Sequence, residues 1–105
     1  MIAVVNVKFD KRPGIVYIGR RMPGRSGSPL GNPYKPGQCD GDPIELYRRW
    51  LWEQIQSDTL QRREIERLAG LHRAGQEVLL GCWCAPASCH GDVVKAAIEW
   101  RTSQL

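Results

Sequence analysis

The chain opens on β-branched and apolar residues, Ile2-Ala-Val-Val-Asn-Val-Lys-Phe9, a composition that predicts a strand. Asp10-Lys-Arg-Pro-Gly14 reads as a turn and Ile15-Val-Tyr-Ile18 as a second strand. From Gly19 to Asp42 no periodicity survives, and six glycines and four prolines fall in this stretch. A segment of that length without regular structure is usually functional or disordered. Its density of residues with fixed or special backbone angles points to a shaped loop. Periodicity then returns with a helical repeat. Asp42 is a natural N-cap, Pro43 suits the first helical position, and Glu45 has capping-box spacing. Ile44, Tyr47, Leu51 and Ile55 recur on one face, flanked by Trp50.

Ser57-Asp58-Thr59 interrupts that helix and offers a new cap. A second helix is predicted from about Leu60 to Ala74, ending at Gly75, with Ile65, Leu68, Ala69 and Leu71 apolar. Glu77 to Trp83 is a short continuous apolar run, the pattern of a strand buried on both faces. A loop from Cys84 to Gly91, turning at Pro86, leads to a last helix opened by Asp92. Val93, Val94, Ala97 and Ile98 supply its buried face. The expected fold is one small α/β domain in the order β-β-α-α-β-α. Its short three-stranded mixed sheet, centred on the strand ending at Trp83, is packed by three helices. Trp50 and Trp52 lie about 200° apart around a helix, so one of them is expected at the surface and hints at an interface. His72, near a helix end, reads as a surface residue answering the C-terminal dipole.

Size sharpens this picture. At 105 residues and 42% hydrophobic, the chain makes one core and is not a disordered polymer. A domain this short buries about two-thirds of its unfolded surface, so a shallow cleft is expected, with a second copy of the chain as a candidate to close it. No apolar run approaches the ~20 residues that cross a bilayer, and no charged-then-apolar leader is evident, which points to the cytoplasm. The net charge of +4 is unevenly spread. Residues 1–35 carry seven basic side chains against Asp10 alone, a net of +6, and the remaining seventy carry −2. That concentration favours an anionic partner at one place, against the plain alternative of a solvated basic surface.

The cysteines divide three and one. Cys82, Cys84 and Cys89 cluster, and Cys39 stands alone. Clustering suits a site better than a disulfide framework, which spreads its cysteines to staple distant segments. Cys82 and Cys84, two apart at a strand end, project from one face. Cys89 and His90 come at a helix start, where free amides and the dipole favour a thiolate. Three readings stay open. Cys82, Cys84, Cys89 and His90 are a donor set of the kind zinc accepts, although the spacing is not the common two-residue knuckle. Alternatively Cys84 or Cys89 is a nucleophile with His90 as base and Asp92 beside it. In the third, the cysteines are small apolar core residues.

A second signal runs from Tyr17-Ile-Gly-Arg20 into Gly27-Ser-Pro-Leu-Gly-Asn32-Pro-Tyr34. In open α/β sheets ligands sit beyond the carboxyl ends of the strands. Both signals meet at one edge if the strands ending at Ile18 and Trp83 are parallel neighbours. Arg20 and Arg25 would then hold a phosphate or carboxylate, Asn32 would hydrogen-bond a base or sugar, and Tyr34 would pack on a ring. Asn32-Pro33 also reads as an ordinary turn. Neither a Walker loop nor a dinucleotide-binding fingerprint is present.

Tyr17-Ile-Gly-Arg20, Ser28-Pro-Leu-Gly-Asn-Pro-Tyr34, Tyr47 with Trp50-Leu51, Cys82-Trp-Cys-Ala-Pro and Cys89-His-Gly-Asp92 together resemble one small family. It is a domain of unknown function found in bacteria and their phages, and the resemblance runs from about Val4 to Ile98. It implies that the Arg20, Asn32 and Cys/His segments form one signature and share a site. The leading expectation is a small cytoplasmic enzyme or binding domain acting on a nucleotide, nucleoside or related phosphorylated small molecule. The rival is a non-catalytic, zinc-stabilised module that binds nucleic acid through its basic first third.

Overall fold

A computed structural model describes residues 1–35, 37–85, 87 and 89–104; the turn expected at Pro86 lies outside them. The elements are β1 (Ile2–Asn6), β2 (Ile15–Tyr17), α1 (Pro43–Gln54), α2 (Leu60–Arg73), β3 (Val78–Cys82) and α3 (His90–Gln104). The three strands form one sheet in the order β1-β3-β2. β3 pairs parallel with both neighbours, Ile2 to Asn6 against Val78 to Cys82 and Ile15 to Tyr17 against Leu79 to Gly81. The expected mixed sheet is therefore corrected to an all-parallel one.

The reason lies in burial. All five residues of β3 are buried, and only the central position covers both faces and both edges of so apolar a strand. Val78, Leu80 and Cys82 face the helices, joining Leu51, Ile65, Leu68, Val94 and Ile98 in the core. Because β1 and β2 run the same way on opposite sides of β3, residues 7–14 must return across the sheet instead of closing a hairpin. Gly81 makes room for that return. A Cβ there would stand 2.5 Å from Val7 Cγ1 and 2.6 Å from Ile15 Cγ2.

The helix starts follow their capping residues. Asp42 Oδ1 accepts from Ile44 N at 3.0 Å, and Thr59 Oγ1 accepts from Arg62 N at 3.0 Å. The capping-box bond expected of Glu45 is not among those of the described residues; its carboxylate instead lies 3.4 Å from Arg48 and 3.7 Å from Arg49. α3 begins two residues earlier than its apolar pattern indicated, at His90. Trp50 and Trp52 are both half-buried, the first against Tyr47 and the second edge-on to Trp100 at 5.1 Å. The expected exposure falls on Trp83 and Trp100 instead, each 42% exposed. His72 is half-buried with its Nδ1 enclosed and unpartnered among the described residues. No described helix is long and apolar enough to cross a membrane.

Candidate functional site

At the carboxyl end of β2, Tyr17 turns its ring toward the end of β3. Trp83 Nε1 donates to Tyr17 Oη at 2.9 Å, and Tyr17 Oη donates to the Arg20 carbonyl at 2.6 Å. The two rings meet edge to face, 6.4 Å between centroids. The Arg25 guanidinium lies 5.1 Å from the Tyr17 ring and 5.7 Å from the Trp83 ring. A cation over aromatic faces is worth about 0.5–1 kcal/mol at exposed sites, enough to bias the pose of both rings. This aromatic pair forms one wall.

The opposite wall is the loop after β2, and its shape is fixed by polar contacts. Leu30 is fully buried, and Tyr47 Oη donates to its carbonyl at 2.6 Å, tying the loop to α1. Asn32 is also buried. Its Oδ1 accepts from Tyr34 N at 2.9 Å and its Nδ2 donates to the Pro43 carbonyl at 3.3 Å. Both ends of that amide thus hold the loop to itself and to the start of α1, the Asx-turn role. Arg20 reaches over the loop, and one guanidinium nitrogen donates to the carbonyls of Asn32 at 3.0 Å and Tyr34 at 3.5 Å.

The floor is the start of α3. Cys89 takes the cap position, its Sγ accepting from Gly91 N at 3.3 Å while Asp92 Oδ2 accepts from Cys89 N at 3.2 Å. This is the reciprocal geometry of a capping box with a thiol in place of a hydroxyl. Gly91 permits it, because a Cβ there would stand 2.7 Å from Val4 Cγ1. Cys82 Sγ lies 3.3 Å from Cys89 Sγ, both buried. The Cys89 thiol and the backbone N–H groups of Cys84 and Ala85 favour a thiolate at Cys82, whose pKa falls to about 6. Cys89, beside that sulfur and buried, is pushed up from the usual thiol range. The thiolate expected at the helix start is therefore shifted to its neighbour. Cys84 is exposed at the cleft, and partial burial raises its thiol.

His90 is held by its ring. Nε2 lies 2.8 Å from the Ile18 carbonyl, which can only accept, so the proton sits on Nε2 and Nδ1 is left as an acceptor. Burial lowers the His90 pKa below the ordinary imidazole value and keeps the ring neutral. The Tyr47 ring packs edge-on at 5.2 Å. Among the described residues no group of three or more His, Cys, Asp or Glu side chains is arranged to hold a metal ion. The zinc reading of Cys82, Cys84, Cys89 and His90 gains no support from that arrangement.

Arg20, Asn32, Tyr34, Cys84, Cys89 and His90 line one cleft of about 340 Å³, together with Tyr17 and Trp83. Arg25, Asp92 and Cys82 lie outside that lining: behind the aromatic wall, in the α3 cap and toward the core, respectively. Met22, Asp42, Pro43 and Ile44 also line the cleft, and sequence reasoning missed them. Their one signal was the Asp42-Pro43 cap, which sets the first turn of α1 where the loop ends.

The fold is thus a small parallel α/β domain whose cleft crosses the carboxyl ends of two adjacent strands, β2 and β3. The profile of the family described as "Domain of unknown function (DUF4326)" matches residues 5–100, and the chain belongs to that family. It is also similar to the "Uncharacterized 12.4 kDa protein in nrdA-td intergenic region" of Enterobacteria phage T4, 33% identical over 51 residues. That segment covers 49% of this chain and 41% of the phage protein, so the match spans under half of either. No solved structure matches the chain.

Proposed function

We propose that the cleft binds a nucleotide, nucleoside or related phosphorylated small molecule, with Cys84 and His90 on its reacting side. The observation that carries this reading is the meeting of three chemistries in one cavity. Flat aromatic surface comes from Tyr17, Tyr34 and Trp83, and positive charge comes from Arg20. A neutral histidine with a free acceptor nitrogen and the Cys84 thiol line the same cavity. Rings stack on such walls, and guanidinium groups hold phosphate. The starts of α1 and α3 both border the cavity, through Pro43 and Ile44 on one and Cys89 and His90 on the other, and their dipoles favour an anion. His90 Nδ1 is suited to accept a proton from a bound hydroxyl, a general-base role.

Alkylation of Cys84 tests this. Its modification by iodoacetamide, followed by mass spectrometry, should be slowed by a member of a panel of nucleosides and nucleotides. The same ligand should lose affinity in Arg20→Ala. A Cys84 unprotected by any of the panel, with no ligand raising the melting temperature, would sink the reading.

A further inference from the structure

The arginines of the loop differ from most of those in the helices. Arg48, Arg49, Arg62, Arg63, Arg67 and Arg101 each stand within 4 Å of an Asp or Glu oxygen. Arg20, Arg21 and Arg25 have no such carboxylate among the described residues. Two of these, Arg21 and Arg25, border a second cavity, an open groove of about 480 Å³ formed with Met22, Gly24, Ser26 and Gly27. Met22 lines both this groove and the cleft. Arg25 lies against Tyr17 and Trp83, the aromatic wall of the cleft. The two cavities therefore adjoin across a single turn of chain.

That turn is closed by two backbone hydrogen bonds. Met22 N donates to the Arg25 carbonyl at 3.1 Å, and Arg25 N donates to the Met22 carbonyl at 2.9 Å. A Cβ on Gly27 would stand 3.0 Å from Arg21 N, so the two arms of the turn pack backbone to backbone. The backbone N–H groups of Gly24, Ser26 and Gly27 have no backbone or side-chain acceptor among the described residues. Small residues, unspent amides and two guanidinium groups without carboxylates are the components of a phosphate seat.

We infer that this groove holds the phosphate chain of the ligand whose ring occupies the cleft, and that the substrate class is a nucleotide carrying two or more phosphates. The inference rests on the nucleotide reading of the cleft and adds to it where the phosphates go. Arg20 at the cleft takes the phosphate next to the sugar, and Arg21 and Arg25 take the outer ones. Arg25 also braces the ring wall, so Arg21 is the cleaner probe.

Titration calorimetry at fixed salt, using the nucleoside, monophosphate and diphosphate of adenine, guanine, cytosine and thymine, tests this. In the series that binds, the diphosphate should bind about tenfold more tightly than the monophosphate, the effect of charge-assisted hydrogen bonds worth ~1.5 kcal/mol. Arg21→Ala should erase that gain and leave the nucleoside's affinity unchanged, with Arg21→Lys restoring part of it. A diphosphate no tighter than its monophosphate, or a gain surviving in Arg21→Ala, overturns the inference while the cleft reading stands. No binding in any series overturns both. A short single-stranded oligodeoxynucleotide that binds more tightly than every diphosphate also overturns it, by assigning the groove to nucleic-acid backbone.

Discussion

The helical layer and the carboxyl edge of the sheet are built by opposite rules. Between the helices, apolar side chains close on one another, and most arginines at the surface are paired, as where Arg101 on α3 reaches Glu66 on α2 at 2.9 Å. At the sheet edge, polar groups are spent on holding a loop open. Buried Asn32 bonds only to backbone, Arg20 lies over loop carbonyls, and Arg21 faces no carboxylate among the described residues. One region gains stability from its contacts. The other uses stability to keep a cavity and its charges accessible. The packed surface satisfies its own polar groups, and the loop leaves cations without carboxylates among the described residues.

The sharpest way to break this contrast is a cavity in the helical layer. Leu51 is fully buried, and Leu51→Ala should cost about 2–5 kcal/mol, read as a fall in the urea midpoint. A loss under about 1 kcal/mol would mean that the helices do not carry the fold.

An effect of pH comes next, and it belongs to the cleft. His90 has a lowered folded pKa, so the unfolded chain takes up the proton first, and stability is lost as pH falls below about 6.5. Cys82 acts in the same direction in a higher window. Its thiolate contributes fully above the unfolded value of 9.0, and that contribution is lost as pH falls toward about 6. Cys89, pushed upward, opposes this above pH 9, where the unfolded chain releases its proton first. Urea midpoints across pH 5 to 9 should therefore rise with pH, and His90→Gln should flatten the rise below about 6.5. Parallel curves for the two proteins would contradict the assignment.

The smallest effects compare single arginines. Arg101→Ala removes a partly exposed ion pair, for a loss of about 0–1 kcal/mol. Arg21→Ala should leave the midpoint of the free protein within about 0.5 kcal/mol, because no carboxylate depends on it. A stabilisation by Arg21→Ala would sharpen the contrast further, since it would reveal repulsion among the loop cations.

Much of the architecture was legible in local chemistry. Asp42-Pro43 and Thr59 mark helix starts because short polar side chains answer the free amides of a first turn. The unbroken apolar run of β3 marked a central strand because only two covered faces tolerate it. The start of α3 precedes its apolar pattern because the chemically loaded Cys89-His-Gly segment lacks an apolar repeat. It belongs to the helix through a thiol cap that no residue preference announces. Strand direction is not marked by local residue preference, so the expected mixed sheet gives way to a parallel one. Only the bare face of Gly81, against which Val7 and Ile15 pack, reveals that the chain returns across β3.

The candidate site divides in the same way. Arg20, Asn32, Tyr34, Cys84, Cys89 and His90 were recognisable as chemical types, and their motifs had already linked them. Their roles depended on neighbours distant along the chain. Asn32 is turned inward by Pro43, His90 has its tautomer set by Ile18, and the thiolate is moved to Cys82 by a sulfur 3.3 Å away. Met22 and Ile44 join the cleft only through folding. The sequence by itself determined the elements, the buried strand and the basic loop, because propensity, capping and charge are local. Tertiary structure decided strand direction, the cleft and the protonation of its groups. Those depend on which polar atoms and cavities the fold brings within a few ångströms of one another.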